Sequence, residues 1–258
     1  RVLGQLMSAR AFCNFIILGS IYIYLIFFAV NYMLIYTLAG GIAVAIGIYC
    51  WTAFPHFEDG VTQKKELFLR KRYWLYYVLT FLSGARRQIF VVFAGFLLVE
   101  KFQFPVENVV LLTLVNAALT FWLAPKIGGL ISYIGERKVL TLEYVGLILV
   151  FVGYAFVDSV AIAIGLYLLD HLFFAMAISL KTYFQKIAAP EDIAATSSIS
   201  FTINHIAAVI LPALLGIVWV FNYSAVFLIG AAIASASLAL AQFIPDKPKP
   251  SFETRLAK

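Results

Sequence analysis

Two arginines, Arg86 and Arg87, stand side by side inside an apolar run that extends over about residues 73–99. A charged side chain in the middle of such a run costs roughly 2.5–3.5 kcal/mol to insert into a membrane, so it faces a cavity or a partner. Halfway along a span of this length, about 20 Å of rise from either end, neither guanidinium reaches water by snorkelling. Successive helical positions point about 100° apart. One arginine is therefore expected to face a cavity and the other to pack against a neighbouring helix. At such a place a guanidinium holds a carboxylate or phosphate by charge-assisted, bidentate hydrogen bonds.

A second pair, Asp170 and His171, lies near the middle of the run 160–184. Beside an arginine the aspartate serves as a counter-ion, and alone in an apolar site it carries a proton. His171 is either a group that titrates near neutral pH or a hydrogen-bonded packing residue. Asn204 and His205 sit about ten residues into the run 194–220, and Asn116 is similarly placed in 106–132. Such side chains bind a solute or join helices by hydrogen bonds. Counted from the run ends, the Arg, Asp–His and Asn–His pairs share one depth. Glu143, the other carboxylate within a run, is counted nearer to its helix end.

The elements that must position these residues are membrane spans. Of 258 residues, 63% are hydrophobic and only 12% are charged, against about 45–50% and about 25% in a soluble domain. A span needs about 20 mostly apolar residues. Eight runs qualify: 9–29, 31–52, 73–99, 106–132, 139–157, 160–184, 194–220 and 224–244. The fold class is therefore an all-α polytopic bundle with lipid as its solvent.

The connections alternate in charge. Lys64, Lys65, Arg70, Lys71 and Arg72 occupy 53–72, whereas the turn from Glu100 to Glu107 holds a single lysine. Glu136-Arg137-Lys138 is basic, and the turn at Asp158 is not. Lys181 and Lys186 flank the next connection, and Asn222-Tyr223-Ser224 is uncharged. The tail carries Lys247, Lys249, Arg255 and Lys258. The excess of basic residues places the 53–72, 133–138 and 185–193 connections and both chain ends in the cytoplasm. The net charge of +6 is thus read as topology, with no nucleic-acid partner. Tyr73, Trp74, Tyr76 and Tyr77 read as an interfacial aromatic belt, and Arg10 as a snorkelling residue. Pro245, Pro248 and Pro250 predict an extended tail.

The segment Ile127-Gly128-Gly129-Leu130-Ile131-Ser132-Tyr133-Ile134-Gly135-Glu136-Arg137-Lys138 resembles the cytoplasmic loop motif of the major facilitator superfamily, G-x-L-x-D-R-x-G-R-R. Gly128, Leu130, Gly135 and Arg137 fall on motif positions. Ser132 stands where the motif has Asp, and Tyr133 where it has a base. Thr202-Ile203-Asn204-His205-Ile206, with Pro212 and Gly216 downstream, resembles the bent eleventh helix of bacterial members. The resemblance implies helices five to twelve of a permease. Residues 1–52 would end the N-terminal half, 53–72 would be the central loop, 73–244 the C-terminal six-helix half and 245–258 the cytoplasmic tail. It further implies a bacterial inner membrane and four preceding helices as partners. The implied activity is alternating-access transport of a small solute coupled to protons or another ion, without cofactor or covalent intermediate. Spans 73–99 and 160–184 would open the two inverted repeats, whose interface holds substrate near the midplane.

Other classes find less in the sequence. H-E-x-x-H and G-x-S-x-G are absent, and Leu82-Ser83-Gly84 lacks the first glycine of a serine elbow. Cys13 and Cys50 lack metal-ligand spacing and are expected to be small core residues. An eight-helix receptor, a channel subunit or an intramembrane enzyme is the competing reading, and flux against a gradient separates it from a transporter.

Overall fold

Long apolar runs in lipid leave the backbone no water to bond to, so the chain satisfies its own amides as helices. The computed structural model, which describes residues 2–27, 31–53 and 69–256, has that architecture. Eight helical stretches are long and apolar enough to cross a membrane, and the protein is an all-α integral membrane bundle. The first two are α1 (Val2–Phe27) and α2 (Tyr32–Ala53). The third comprises α3 (Trp74–Gln88), a π-helical segment Ile89–Ala94 and α4 (Gly95–Glu100). Then come α5 (Val106–Ile134) and α6 (Glu136–Ala155). The sixth stretch is divided into α7 (Val160–Ala175) and α8 (Ile178–Ile187) at Met176-Ala177. It is followed by α9 (Ile193–Phe221) and α10 (Tyr223–Ala241).

Two apolar clusters hold the main bundle. Toward one end Leu97, Leu147, Phe151, Tyr154 and Phe227 pack between α4, α6 and α10. Toward the other, Tyr73, Tyr76, Leu140, Tyr183 and Ile244 pack together. Tyr73, Tyr76 and Tyr77 are thus core residues rather than a belt; only Trp74 of that group is exposed. The hydroxyl of Tyr73 explains its place: it donates to Asp192 at 3.1 Å and accepts from the Ala189 amide at 3.0 Å. α1 lies along α5. A Cβ at Gly4 would stand 2.7 Å from the Ala124 carbonyl oxygen, and the Ser8 hydroxyl donates to the Phe121 carbonyl at 2.8 Å. α2 is exposed along its length. Cys13 is exposed and Cys50 half-buried, so neither is a core residue; both helices turn these faces outward.

The two ends of the bundle differ as the charge alternation predicts. Arg70 pairs with Asp192 at 3.0 Å, Arg72 with Glu253 at 3.2 Å, Arg137 with Asp246 at 2.5 Å and Lys186 with Glu136 at 2.6 Å. These pairs gather 69–73, 136–137, 186–192 and 246–253 at one end. At the other, Lys101 donates to the Val157 carbonyl and to Tyr223 and pairs with Asp158, while Ser224 donates to the Ala155 carbonyl. Lys64, Lys65 and Lys258 lie outside the described residues.

Two expectations are overturned at the basic end. The connection between α5 and α6 is Gly135 alone, at φ 87°, a conformation that glycine adopts at no steric cost. Gly128 and Leu130 are helical residues of α5, and Arg137 belongs to the first turn of α6. The tail is not extended. It reverses near Ser251, the Arg255 amide donates to the Phe243 carbonyl at 2.8 Å, and the Tyr183 hydroxyl donates to the Glu253 carbonyl. Proline stiffens this segment, but the ion pairs of Asp246 and Glu253 bend it back onto the bundle.

Candidate functional site

Arg86 and Arg87 leave α3 in different directions, one turned into the protein and the other out of it. Arg86 is fully buried. One guanidinium nitrogen lies 3.7 Å from Glu143 Oε1 on α6, and its carbon lies 4.3 Å over the ring of Tyr144. At 3.7 Å the charges attract but the pair exceeds hydrogen-bonding distance. Asp170 on α7 is also fully buried, within electrostatic reach of both Arg86 and Glu143. Neither carboxylate has a hydrogen-bond partner among the described residues.

The backbone explains this convergence. The Phe173 ring of α7 is seated directly on Gly146 of α6, where a Cβ would meet it. This contact lies one turn from Glu143 on α6 and one turn from Asp170 on α7. On the other side of α3, a Cβ at Gly84 would stand 2.5 Å from Asn204 Oδ1 and 3.4 Å from Asn204 Cα. Small residues permit such close helix contacts in membranes. Asn204 therefore lies against α3, two residues before Arg86.

Arg87 is exposed and makes no ion pair or hydrogen bond among the described residues. The charged groups within its electrostatic reach are Arg10 of α1 and His171 of α7. Arg10 thus belongs to the surroundings of the site and is not merely a snorkelling residue. His171 is half-buried, with its ring edge-on to Phe90 at 5.1 Å and tilted to Tyr167 at 5.4 Å. It shares with Asn116 and Thr120 the lining of a cavity of about 10 Å³ between α5 and α7, room for one water. Asn116 is 1% exposed, and neither atom of its amide has a hydrogen-bond partner among the described residues.

The predicted residues therefore fall into two sets. Arg86 and Asp170 are both fully buried and within electrostatic reach of each other. Arg87 and His171 lie within reach of each other apart from that pair, and His171 shares a cavity with the buried Asn116. His205 joins neither: it is exposed, its Nδ1 lies 2.8 Å from the Phe201 carbonyl of its own helix, and its ring tilts against Phe201 at 4.0 Å. The motif residues Gly128, Leu130, Gly135 and Arg137 sit at the basic end, away from both sets.

Three features were missed in the sequence. Glu143 reads as a residue near a helix end because α6 begins at Glu136, three residues earlier than the predicted span. A carboxylate within the predicted span 139–157, with an arginine on a neighbouring run, was the available signal. The π-helical segment begins two residues after Arg87, and such segments recur at functional sites. Gly95 directly follows that segment, and no glycine or proline marks the division of α7 from α8 at Met176-Ala177. Among the described residues no group of three or more His, Cys, Asp or Glu side chains converges in the manner of a metal site. No family model matches the chain, and no curated protein matches it.

Proposed function

We propose that this chain belongs to a secondary transporter of the major facilitator type that moves a small anionic solute by alternating access, coupled to an ion gradient. The observation that carries the reading is Arg87. It is a guanidinium at mid-span, without an acidic partner among the described residues and within reach of a second cation, Arg10. Two uncompensated positive charges at this depth attract an anion, and Arg87 offers it a bidentate contact. His171 lies within electrostatic reach of Arg87 and shares a small cavity with Asn116.

Two further observations support movement. The third and sixth spans both depart from regular α-helix, at Ile89–Ala94 and Met176-Ala177. Discontinuous helices near the midplane are a recurring device of transporters. The family resemblance at 127–138 and 202–206 supports the type and a bacterial inner membrane, and the excess of basic residues supports a cytoplasmic basic end.

The test uses the protein as its gene encodes it, purified in lipid nanodiscs. Thermal stabilisation is measured with inorganic phosphate, a monocarboxylate, a dicarboxylate, a sugar and an amine. The anions are expected to raise Tm and the neutral and cationic compounds to leave it unchanged. The best anion is then offered to proteoliposomes, where accumulation should collapse with an uncoupler. Equal responses to charged and neutral compounds would remove the anionic assignment, and flux that needs no gradient would remove the coupling.

A further inference from the structure

We infer that residues 246–255 form an electrostatic strap, which grips the start of the third span and the corner between α5 and α6, and which ionic strength releases. Two acidic residues anchor it. Asp246 lies between two arginines, Arg137 of α6 at 2.5 Å and Arg255 of the tail itself at 2.6 Å. Its carbonyl oxygen stands beside Gly135, 3.9 Å from where a Cβ would be. Glu253 pairs with Arg72 at 3.2 Å, and its backbone carbonyl accepts from the Tyr183 hydroxyl of α8. The guanidinium of Arg72 also lies over the ring of Tyr73, at 4.7 Å. Through Arg72 the last residues of the chain therefore hold the point where the third span begins.

The hold is mainly one of charge. Both acidic side chains of the strap pair with arginines of the bundle, while Lys247 and Lys249 are exposed. Beyond Pro248 the apolar side chains, Phe252 and Leu256, are exposed too, so they add little hydrophobic anchorage. The pairs themselves are partly open, with Arg72 40% and Asp246 59% exposed. Such pairs are weak and are screened by salt. The neighbouring pair Arg70–Asp192 is buried, and salt screens it much less. The strap also turns at Ser251 with φ 69°, a left-handed conformation that a residue other than glycine keeps only when its surroundings impose it. Glu253 imposes it: its Oε1 accepts from the Ser251 amide at 3.2 Å and is the same oxygen that meets Arg72. One carboxylate thus sets both the turn and the grip. Weakening its pair with Arg72 undoes both and leaves Arg72 and Arg137 as free bases at that end of the bundle.

Hydrogen exchange of the full-length protein in nanodiscs, read by mass spectrometry on peptides covering 246–256, tests this. At about 0.1 M salt, where charges are felt over about 10 Å, the strap should be protected, and at about 1 M, where the range is about 3 Å, its exchange should rise by about tenfold. Peptides from α6 serve as the reference and should stay protected at both concentrations. At low salt Arg72→Gln and Glu253→Gln should each bring the strap to its high-salt exchange. Arg72→Lys, which keeps the charge, should retain the protection, and Lys249→Gln, outside the pairs, should leave it unchanged. Equal exchange of the wild-type strap at the two salt concentrations overturns the inference, as does full protection in Arg72→Gln. Salt that loosens α6 to the same degree also overturns it, because the whole bundle would then be responding. The wild-type salt series decides without any variant, and none of these outcomes depends on what the protein carries.

Discussion

Arg86 and Arg87 share a peptide bond and almost nothing else. The first is sealed between α3, α6 and α7, its charge met by Glu143 and its face covered by Tyr144. The second stands on the open side with Arg10 and His171 for company. A rotation of about 100° separates a charge that the protein answers from one that it leaves unanswered. Burial and counter-charge go together here: the fold supplies a carboxylate to Arg86 and, among the described residues, none to Arg87.

The contrast can be broken most sharply by truncation. Arg86→Ala strands a buried carboxylate and should cost about 3–5 kcal/mol of stability, read as a lowered Tm in nanodiscs. Arg87→Ala, at an exposed position, should stay within about 0.5 kcal/mol of wild type. Equal losses would erase the distinction. The second expectation inverts the first: Arg87→Gln should weaken the binding of the best anion by about 10- to 100-fold, corresponding to the roughly 1.5–3 kcal/mol of a charge-assisted bond. Titration calorimetry measures it, and unchanged affinity would transfer the anion site elsewhere.

A smaller effect sharpens the role of helix spacing. Gly84→Ala places a methyl group 2.5 Å from Asn204 Oδ1 and should cost about 1–2 kcal/mol through overpacking. Much of that should return in Gly84→Ala combined with Asn204→Ala, since the nearest atom is a side-chain end. The smallest effect compares the buried pair with a surface one. Lys101 pairs with Asp158, which is 89% exposed. Lys101→Met should cost under about 1 kcal/mol and less still in high salt. Burial pulls the Lys101 ammonium down, but the Tyr223 hydroxyl and Asp158 carboxylate outweigh it and raise its pKa. The pair's contribution is therefore complete below the ordinary lysine value of about 10.4. It disappears as pH rises through the higher folded-state value, so an alkaline Tm profile of wild type should converge on that of Lys101→Met.

The spans and their alternation were legible because length, hydropathy and basic connections are local properties. Arg86, Arg87 and Asp170 were legible because burying a charge is costly wherever it occurs. Which arginine turns inward was not, since that depends on the rotation of α3 against α6. Glu143 escaped for the same reason, its depth hidden by the early start of α6 at Glu136. The aromatic run at 73–77 was misread because Tyr73 finds Asp192 and Ala189, partners more than a hundred residues away. The tail escaped because the bonds that fold it back join Glu253 and Asp246 to residues of distant helices. His205 has the right composition and depth, yet its ring bonds to its own helix.

The π-helical segment Ile89–Ala94 adds one residue to a turn, and so shifts the phase of everything after it by about 100°. Leu97 and Leu98, both fully buried, belong to α4, which starts from that shifted phase. The third span is thus two helices in different angular registers joined end to end, each matched to its own neighbours. Passing the extra residue one turn along would rotate the part between the old and new positions without lengthening the span.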